Sequence, residues 1–139
     1  MSDRQTEPVL AERVLAKRVL VVDDASLVRL YYRDALERAG FEVDEALNGL
    51  EALEKLMVAP PDLLIVDVNM PQMDGMTFLR ILRRQAPPLS STPALVTSTE
   101  SGAQDIDAAR AAGANFYLTK PVAQETLALY AAMLCGIPA

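Results

Sequence analysis

Asp23, Asp24, Asp67, Thr97 and Lys120 are the residues of this 139-residue chain whose types and spacing suit chemistry. Each closes a short apolar run: VLVVDD at 19–24, LLIVD at 63–67, ALVTS at 94–98 and FYLTK at 116–120. If these runs are parallel strands, their carboxyl ends meet along the edge where open α/β sheets bind ligands. Three carboxylates, a hydroxyl and an ammonium group then share one pocket. Two carboxylates about 4 Å apart repel by roughly 4 kcal/mol at an effective dielectric near 20. Protonation of one acid, or a divalent cation among them, relieves that repulsion. The chain contains no histidine. That excludes a Ser-His-Asp or Cys-His pair, a His-ligated zinc and storage of a phosphoryl group on histidine. An all-oxygen ligand set favours Mg²⁺, which is normally completed by a phosphate oxygen. The expected chemistry is therefore phosphoryl transfer. Asp67 is the nucleophile, Lys120 neutralises charge on the transferred group, and the Thr97 hydroxyl donates a hydrogen bond to it.

Taken singly, each residue has a plainer explanation. Asp23 or Asp24 caps a helix, Asp67 opens a turn, Thr97 is an ordinary strand residue and Lys120 a solvated lysine. Their joint position at the ends of four alternating strands outweighs those explanations.

The positioning elements are legible from the pattern of apolar residues. Runs at 19–22, 41–43, 63–66, 94–96 and 116–118 are too short for helices and are predicted to be strands. The first and third are unbroken by polar residues, as in a sheet covered on both faces. Helical spacing follows at Val28, Tyr31, Tyr32, Ala35, Leu36 and Ala39, with Ser26 as N-cap and Gly40 as stop. A second helix starts near Asn48, buries Leu53, Leu56 and Met57, and ends at Pro60 and Pro61. A third spans 76–84 on Phe78, Leu79 and Leu82. An Ala-rich fourth spans 103–112, anchored by Ile106 and closed by Gly113, and a fifth spans 124–134. Five β-α units in strict alternation predict an α/β, doubly wound, parallel five-stranded sheet with five helices. The period-five repetition in VLAERVLAKRVL (9–20) does not return to one helix face. Residues 1–15 are expected to be a tail and 16–139 one domain. With only 136–139 after the last helix, no output domain is expected.

The bulk numbers agree. A net charge of −6 argues against a nucleic-acid surface. No apolar run reaches bilayer length and no signal-peptide core opens the chain, so no membrane insertion is expected. Cys135 is the sole cysteine, read as a small apolar residue in a reducing cytoplasm.

The segments VLVVDDAS (19–26), LLIVDVNMPQMDG (63–75), ALVTST (94–99) and FYLTKP (116–121) together resemble the receiver domains of two-component response regulators, over roughly residues 16–136. The resemblance implies a flavodoxin-like fold with strand order 2-1-3-4-5. It implies Asp67 as phosphoacceptor, with Thr97 and Lys120 holding the phosphoryl oxygens. Asp24, Asp67 and the Asn69 backbone carbonyl are then direct Mg²⁺ ligands, with Asp23 acting through water. Tyr117 stands at the aromatic switch position, the Lys120-Pro121 bond is expected to be cis, and Gly75 meets a demand for small size or positive φ. Ser98 departs from the family's usual Ala or Gly, and is expected to change phosphorylation or hydrolysis rates. The partners implied are a sensor histidine kinase or histidine phosphotransfer protein and a separate downstream effector. Leu30, off the core stripe of the first helix, is expected on the donor's docking surface. The signal is expected to leave through the face of the fourth helix, fifth strand and fifth helix.

The main reading is a phosphorylatable switch rather than an enzyme. A Mg²⁺-dependent phosphohydrolase with an aspartyl nucleophile is the competing class. Such enzymes normally carry D-x-D on the first strand, whereas here D-V-N follows the third. A phosphate sink, a phosphorelay intermediate and a binding module with a dead site remain further alternatives; the last usually lacks the acceptor Asp or the Lys.

Overall fold

Burial on both faces is what separates the central strands from the edges. The structure, a computed structural model, describes residues 17–137. The tail expected over 1–15 lies outside the described residues. Strand β1 (Arg18–Val22), β3 (Leu63–Asp67) and β4 (Ala94–Ser98) are buried almost throughout. Strand β2 (Glu42–Ala46) alternates toward solvent, and β5 (Phe116–Thr119) is exposed at both ends. All pairings are parallel, in the order β2-β1-β3-β4-β5. The fold is therefore the expected flavodoxin-like sheet, and its strand order reverses between β1 and β3.

Four helices cross over between the strands, α1 (Ser26–Arg38), α2 (Gly49–Val58), α3 (Gly75–Arg83) and α4 (Ala103–Ala112), and a fifth, α5 (Gln124–Leu134), follows β5. Because alternate strand residues face opposite ways, the core divides in two. Leu20, Val22, Leu64, Val66 and Val96 pack under α2, α3 and α4 through Leu56, Phe78, Leu82 and Ala109. Val19, Val21, Leu63, Ile65 and Leu95 pack under α1 and α5 through Tyr32, Leu36, Leu127 and Ala131. Among the described residues, no helix is long and apolar enough to cross a membrane.

Three local expectations need correction. Ala25, not Ser26, is the N-cap of α1, and it makes no side-chain cap. The Asp23 carboxylate accepts the Ala25 N–H at 2.9 Å, which fixes the turn into α1 without capping its first-turn amides. Met57 is exposed; Ala52 and Leu56 form the buried stripe of α2, with Leu53 half-buried. Ile106 is only partly buried, and α4 rests on Ala109 and Ala112. Small side chains let α4 lie close to the sheet, which leaves Ile106 on its flank. The caps Asn48 (accepting from Glu51 N–H) and Asp74 (accepting from Thr77 N–H) set the starts of α2 and α3. Gly113 closes α4 with φ +117°, a left-handed value that favours glycine.

Candidate functional site

Strand parity decides which side chains meet. Val21, Ile65, Leu95 and Leu118 all belong to the α1/α5 side of the core. Two residues further along the same chains stand Asp23, Asp67, Thr97 and Lys120, which continue that face to the carboxyl edge. Backbone bonds fix them there. Asp23 N–H donates to Ala46 O at 3.0 Å, Val68 N–H to Thr97 O at 3.0 Å, and Lys120 N–H to Ser98 O at 2.7 Å. The Lys120-Pro121 bond is cis, as expected.

The side chains converge closely. Carboxylate oxygens of Asp23, Asp24 and Asp67 lie within 4.8 Å of one another. Lys120 Nζ donates to Asp23 Oδ2 at 2.9 Å and stands 3.3 Å from Asp67 Oδ1. Asp23 and Asp67 are buried, at 1% and 6% exposure, while Asp24 faces solvent. Burial, then the Asp23 charge, holds the Asp67 carboxyl above its ordinary pKa, although Lys120 and the Asn69 amide pull the other way. Burial alone would depress Lys120, but the hydrogen bond to Asp23 and the charges of Asp23 and Asp67 raise it on balance. The cluster is an ammonium held by two buried acids, with a third acid at the mouth. Its hard oxygen donors, and the opening to water at Asp24, fit Mg²⁺ rather than a softer metal.

Thr97 is fully buried and its hydroxyl has no hydrogen-bond partner. An unpaired buried hydroxyl is costly, so this donor is available to a group arriving at the site.

The response regulator receiver domain family matches residues 19–132. The chain belongs to that family. A protein-glutamate methylesterase/protein-glutamine glutaminase of Archaeoglobus fulgidus is 45% identical over 107 residues, which are 75% of this chain and 30% of that protein. A Rhodospirillum rubrum protein of the same description is 42% identical over 106 residues, covering 75% of this chain and 28% of its own. The chain thus spans under a third of the length of these curated relatives. Among solved structures, the Vibrio cholerae chemotaxis response regulator CheY4 aligns with TM-score 0.79 and 37% identity, over 85% of this chain and 98% of that one. A Chloroflexus aurantiacus protein described as a response regulator aligns with TM-score 0.81 and 33% identity, over 86% and 98%.

The remaining receiver positions fall around this centre. Gly75 has no positive φ; its reason is space. A Cβ there would collide with the Asp67 carbonyl oxygen and come within 3.0 Å of Val68 Cα. Its N–H donates to Val68 O at 3.0 Å, so the loop carrying exposed Asn69 folds back on β3. Gln72 in that loop adopts φ +68°, and its side chain accepts from Asn48 Nδ2 at 3.2 Å, a tie that the motif alone does not reveal. Ser98 is buried, but its Oγ accepts the Glu100 N–H at 3.1 Å and, by parity, belongs to the opposite face from Thr97. Tyr117 packs partly against the α2/α3/α4 side, and its hydroxyl donates to Glu100 O at 2.6 Å. Cys135 is half-buried, and burial pushes its thiol up to about 11, which suits an inert apolar role.

Proposed function

We propose that this receiver takes a phosphoryl group onto Asp67, with Mg²⁺, from a phosphohistidine donor, and that the modification alters the α4-β5-α5 face to control a partner protein in the cytoplasm. The observation that carries the reading is the buried Asp67 carboxylate at the end of central strand β3, 3.3 Å from Lys120 and within 4.8 Å of two further acids. An Asp67 oxygen attacks phosphorus, the donor's P–N bond breaks, and the imidazole leaves with a proton from solvent. Bound Mg²⁺ would supply charge neutralisation for the phosphoryl oxygens, held by Asp24, Asp67 and the Asn69 carbonyl directly and by Asp23 through water. Lys120 stands between Asp23 and Asp67, 3.3 Å from the latter, and the unpaired Thr97 hydroxyl has a hydrogen to give. The chemistry asks mainly for positioning and charge, which buried and hydrogen-bonded groups supply.

The surfaces agree with this reading. Leu27 and Leu30 on α1 are exposed beside the site, as a donor-docking surface requires. Phe116, Leu129 and Met133 are exposed on the α4-β5-α5 side. The similarity to methylesterases covers less than a third of their length, so it carries the receiver and not the esterase activity. The test is intact-mass measurement after incubation with Mg²⁺ and acetyl phosphate. One phosphoryl adduct is expected, lost in Asp67→Asn and in EDTA. Full labelling of Asp67→Asn would refute the assignment, and multiple turnovers of phosphate release per second would favour the phosphohydrolase.

A further inference from the structure

The plain reading of Arg29 is a staple from α1 to the end of β2, since its Nε donates to Glu45 Oε1 at 2.8 Å. Arg33, one turn further on, already does that work through Glu45 Oε2 at 2.6 Å. What sets Arg29 apart is a second nitrogen, which donates to the Asp23 carbonyl at 2.7 Å. No other donor to that carbonyl is found among the described residues. The Arg29 side chain is mostly buried, at 15% exposure. A planar guanidinium fixed at two points holds one geometry. Burial alone would raise the Glu45 carboxyl, but the hydrogen bonds from Arg33 and Arg29 hold it below its ordinary pKa.

The carbonyl that Arg29 holds belongs to the peptide joining the two acids of the first strand end. The Asp23 carboxylate has its own anchors, the Ala25 N–H and Lys120. Asp67 has Lys120. Asp24 is exposed, and among the described residues no hydrogen bond or ion pair holds its carboxylate, which nevertheless lies within 4.8 Å of the other two. That leaves the backbone to set its direction. We propose that Arg29, held by Glu45, is a positioning residue for the metal site: it fixes the Asp23–Asp24 peptide and so keeps the Asp24 carboxylate turned toward Asp67. This rests on the reading of Asp24 and Asp67 as Mg²⁺ ligands. A carboxylate already in place loses less freedom when the cation arrives, which raises affinity. The Arg29 charge acts the other way, because a guanidinium near the site repels Mg²⁺. The two effects have opposite signs, and that separates them by experiment.

The experiment is an NMR titration of the full chain with Mg²⁺, started in metal-free buffer and following the backbone amides of Asp24 and Asn69. Arg29→Met should raise the Kd for Mg²⁺ about tenfold, the low end for losing a partner that orients a metal ligand. Arg29→Lys keeps the charge, replaces the two-point fork by one nitrogen, and should also weaken binding. Arg33→Met leaves Arg29 paired with Glu45 and should bind Mg²⁺ as wild type does. An unchanged or tighter Kd in Arg29→Met would overturn the proposal, and so would equal weakening in Arg33→Met, which would mark a general loosening of α1. If Arg29→Met does not fold, a wild-type Kd in Arg29→Lys overturns it instead. Absence of Mg²⁺ shifts in wild type would refute the metal reading itself. Mg²⁺ binding that is equal in wild type and both Arg29 variants would refute Arg29 alone.

Discussion

Lys120→Met would leave two buried acids without their ammonium. Lys120 Nζ stands 2.9 Å from Asp23 and 3.3 Å from Asp67. At an effective dielectric near 20, each contact supplies about 5 kcal/mol of attraction. Repulsion between carboxylates within 4.8 Å of each other, at least about 3.5 kcal/mol on the same scale, would survive the substitution. The native state escapes most of this sum by protonating Asp67, whose carboxyl burial and Asp23 already hold above its ordinary pKa. Each unit between pH and pKa then costs about 1.4 kcal/mol. The expected loss at pH 7 is therefore about 3–5 kcal/mol, the range for stripping one partner from a buried pair. The sign of the pH dependence follows. A carboxyl with a raised native pKa favours folding below its unfolded value near 4 and opposes it as pH rises through the native one. The deficit should shrink from pH 7 to pH 5. Lys120 in the wild type, also raised, keeps its contribution until pH climbs through its native value in the alkaline range. Urea unfolding in EDTA at both pH values measures this. Adding Asp67→Asn to Lys120→Met should recover most of the loss. A deficit that is the same at both pH values, and untouched by Asp67→Asn, would show that the three groups are not electrostatically coupled.

Asp24→Ala should raise thermal stability in metal-free buffer and abolish the Mg²⁺-dependent rise, which for wild type should reach about 2.7 kcal/mol at a hundredfold excess over Kd. Differential scanning calorimetry with and without Mg²⁺ decides it, and a surviving Mg²⁺ effect would remove Asp24 from the ligand set. Gly75→Ala should cost about 1–3 kcal/mol by overpacking against the Asp67 carbonyl, and should slow acetyl phosphate labelling as well. Normal stability with normal labelling would mean that the loop shifts freely. Leu30→Asp should slow transfer from a phosphorylated donor protein about tenfold while acetyl phosphate labelling stays unchanged; equal loss with both would point to damage of the fold.

Much of this was legible in the sequence for definite reasons. LLIVD and ALVTS have no polar break because both faces of β3 and β4 are covered, so their central position could be read from composition. Gly113 and Asn48 mark helix ends by local backbone chemistry, and both stand where expected. The errors come from tertiary context. Ser26 is not the cap because α1 starts one residue earlier, at a turn that the Asp23 carboxylate fixes by accepting the Ala25 amide. Met57 has the right hydrophobicity and the wrong angle on α2. Arg83 was invisible: its guanidinium gathers the carbonyls of Ser90, Thr92 and Gly113 and the side chain of Asn115, from segments far apart in the chain. No local pattern announces such a knot. The site residues were legible because each stands at a strand end; the parity that selects their common face needed the sheet register.

That parity also bears on how a change at Thr97 would reach Tyr117. Thr97 faces the α1/α5 side, whereas Tyr117 packs against the opposite side of the core. In the sheet register Val96, not Thr97, pairs with Tyr117. Direct side-chain contact through the sheet is thus a poor route. The segment after β4 offers a better one. Ser98 Oγ accepts the Glu100 N–H, and the Glu100 carbonyl accepts the Tyr117 hydroxyl. A pull on Thr97 would shift residues 98–100 as a unit and loosen the bond that holds the Tyr117 hydroxyl. On that route Ser98 would act through its bond to Glu100, in addition to any effect on phosphorylation or hydrolysis rates. The helix that follows, α4, buries only two alanines and can adjust at small cost. Converting such a switch from about 1:99 to 99:1 needs roughly 5.5 kcal/mol of differential stabilisation, more than the Thr97 and Tyr117 hydrogen bonds alone would provide at roughly 1 kcal/mol each. On the proposed function, a partner that prefers the shifted face would supply the remainder, so a complete switch would require both the modification and the partner.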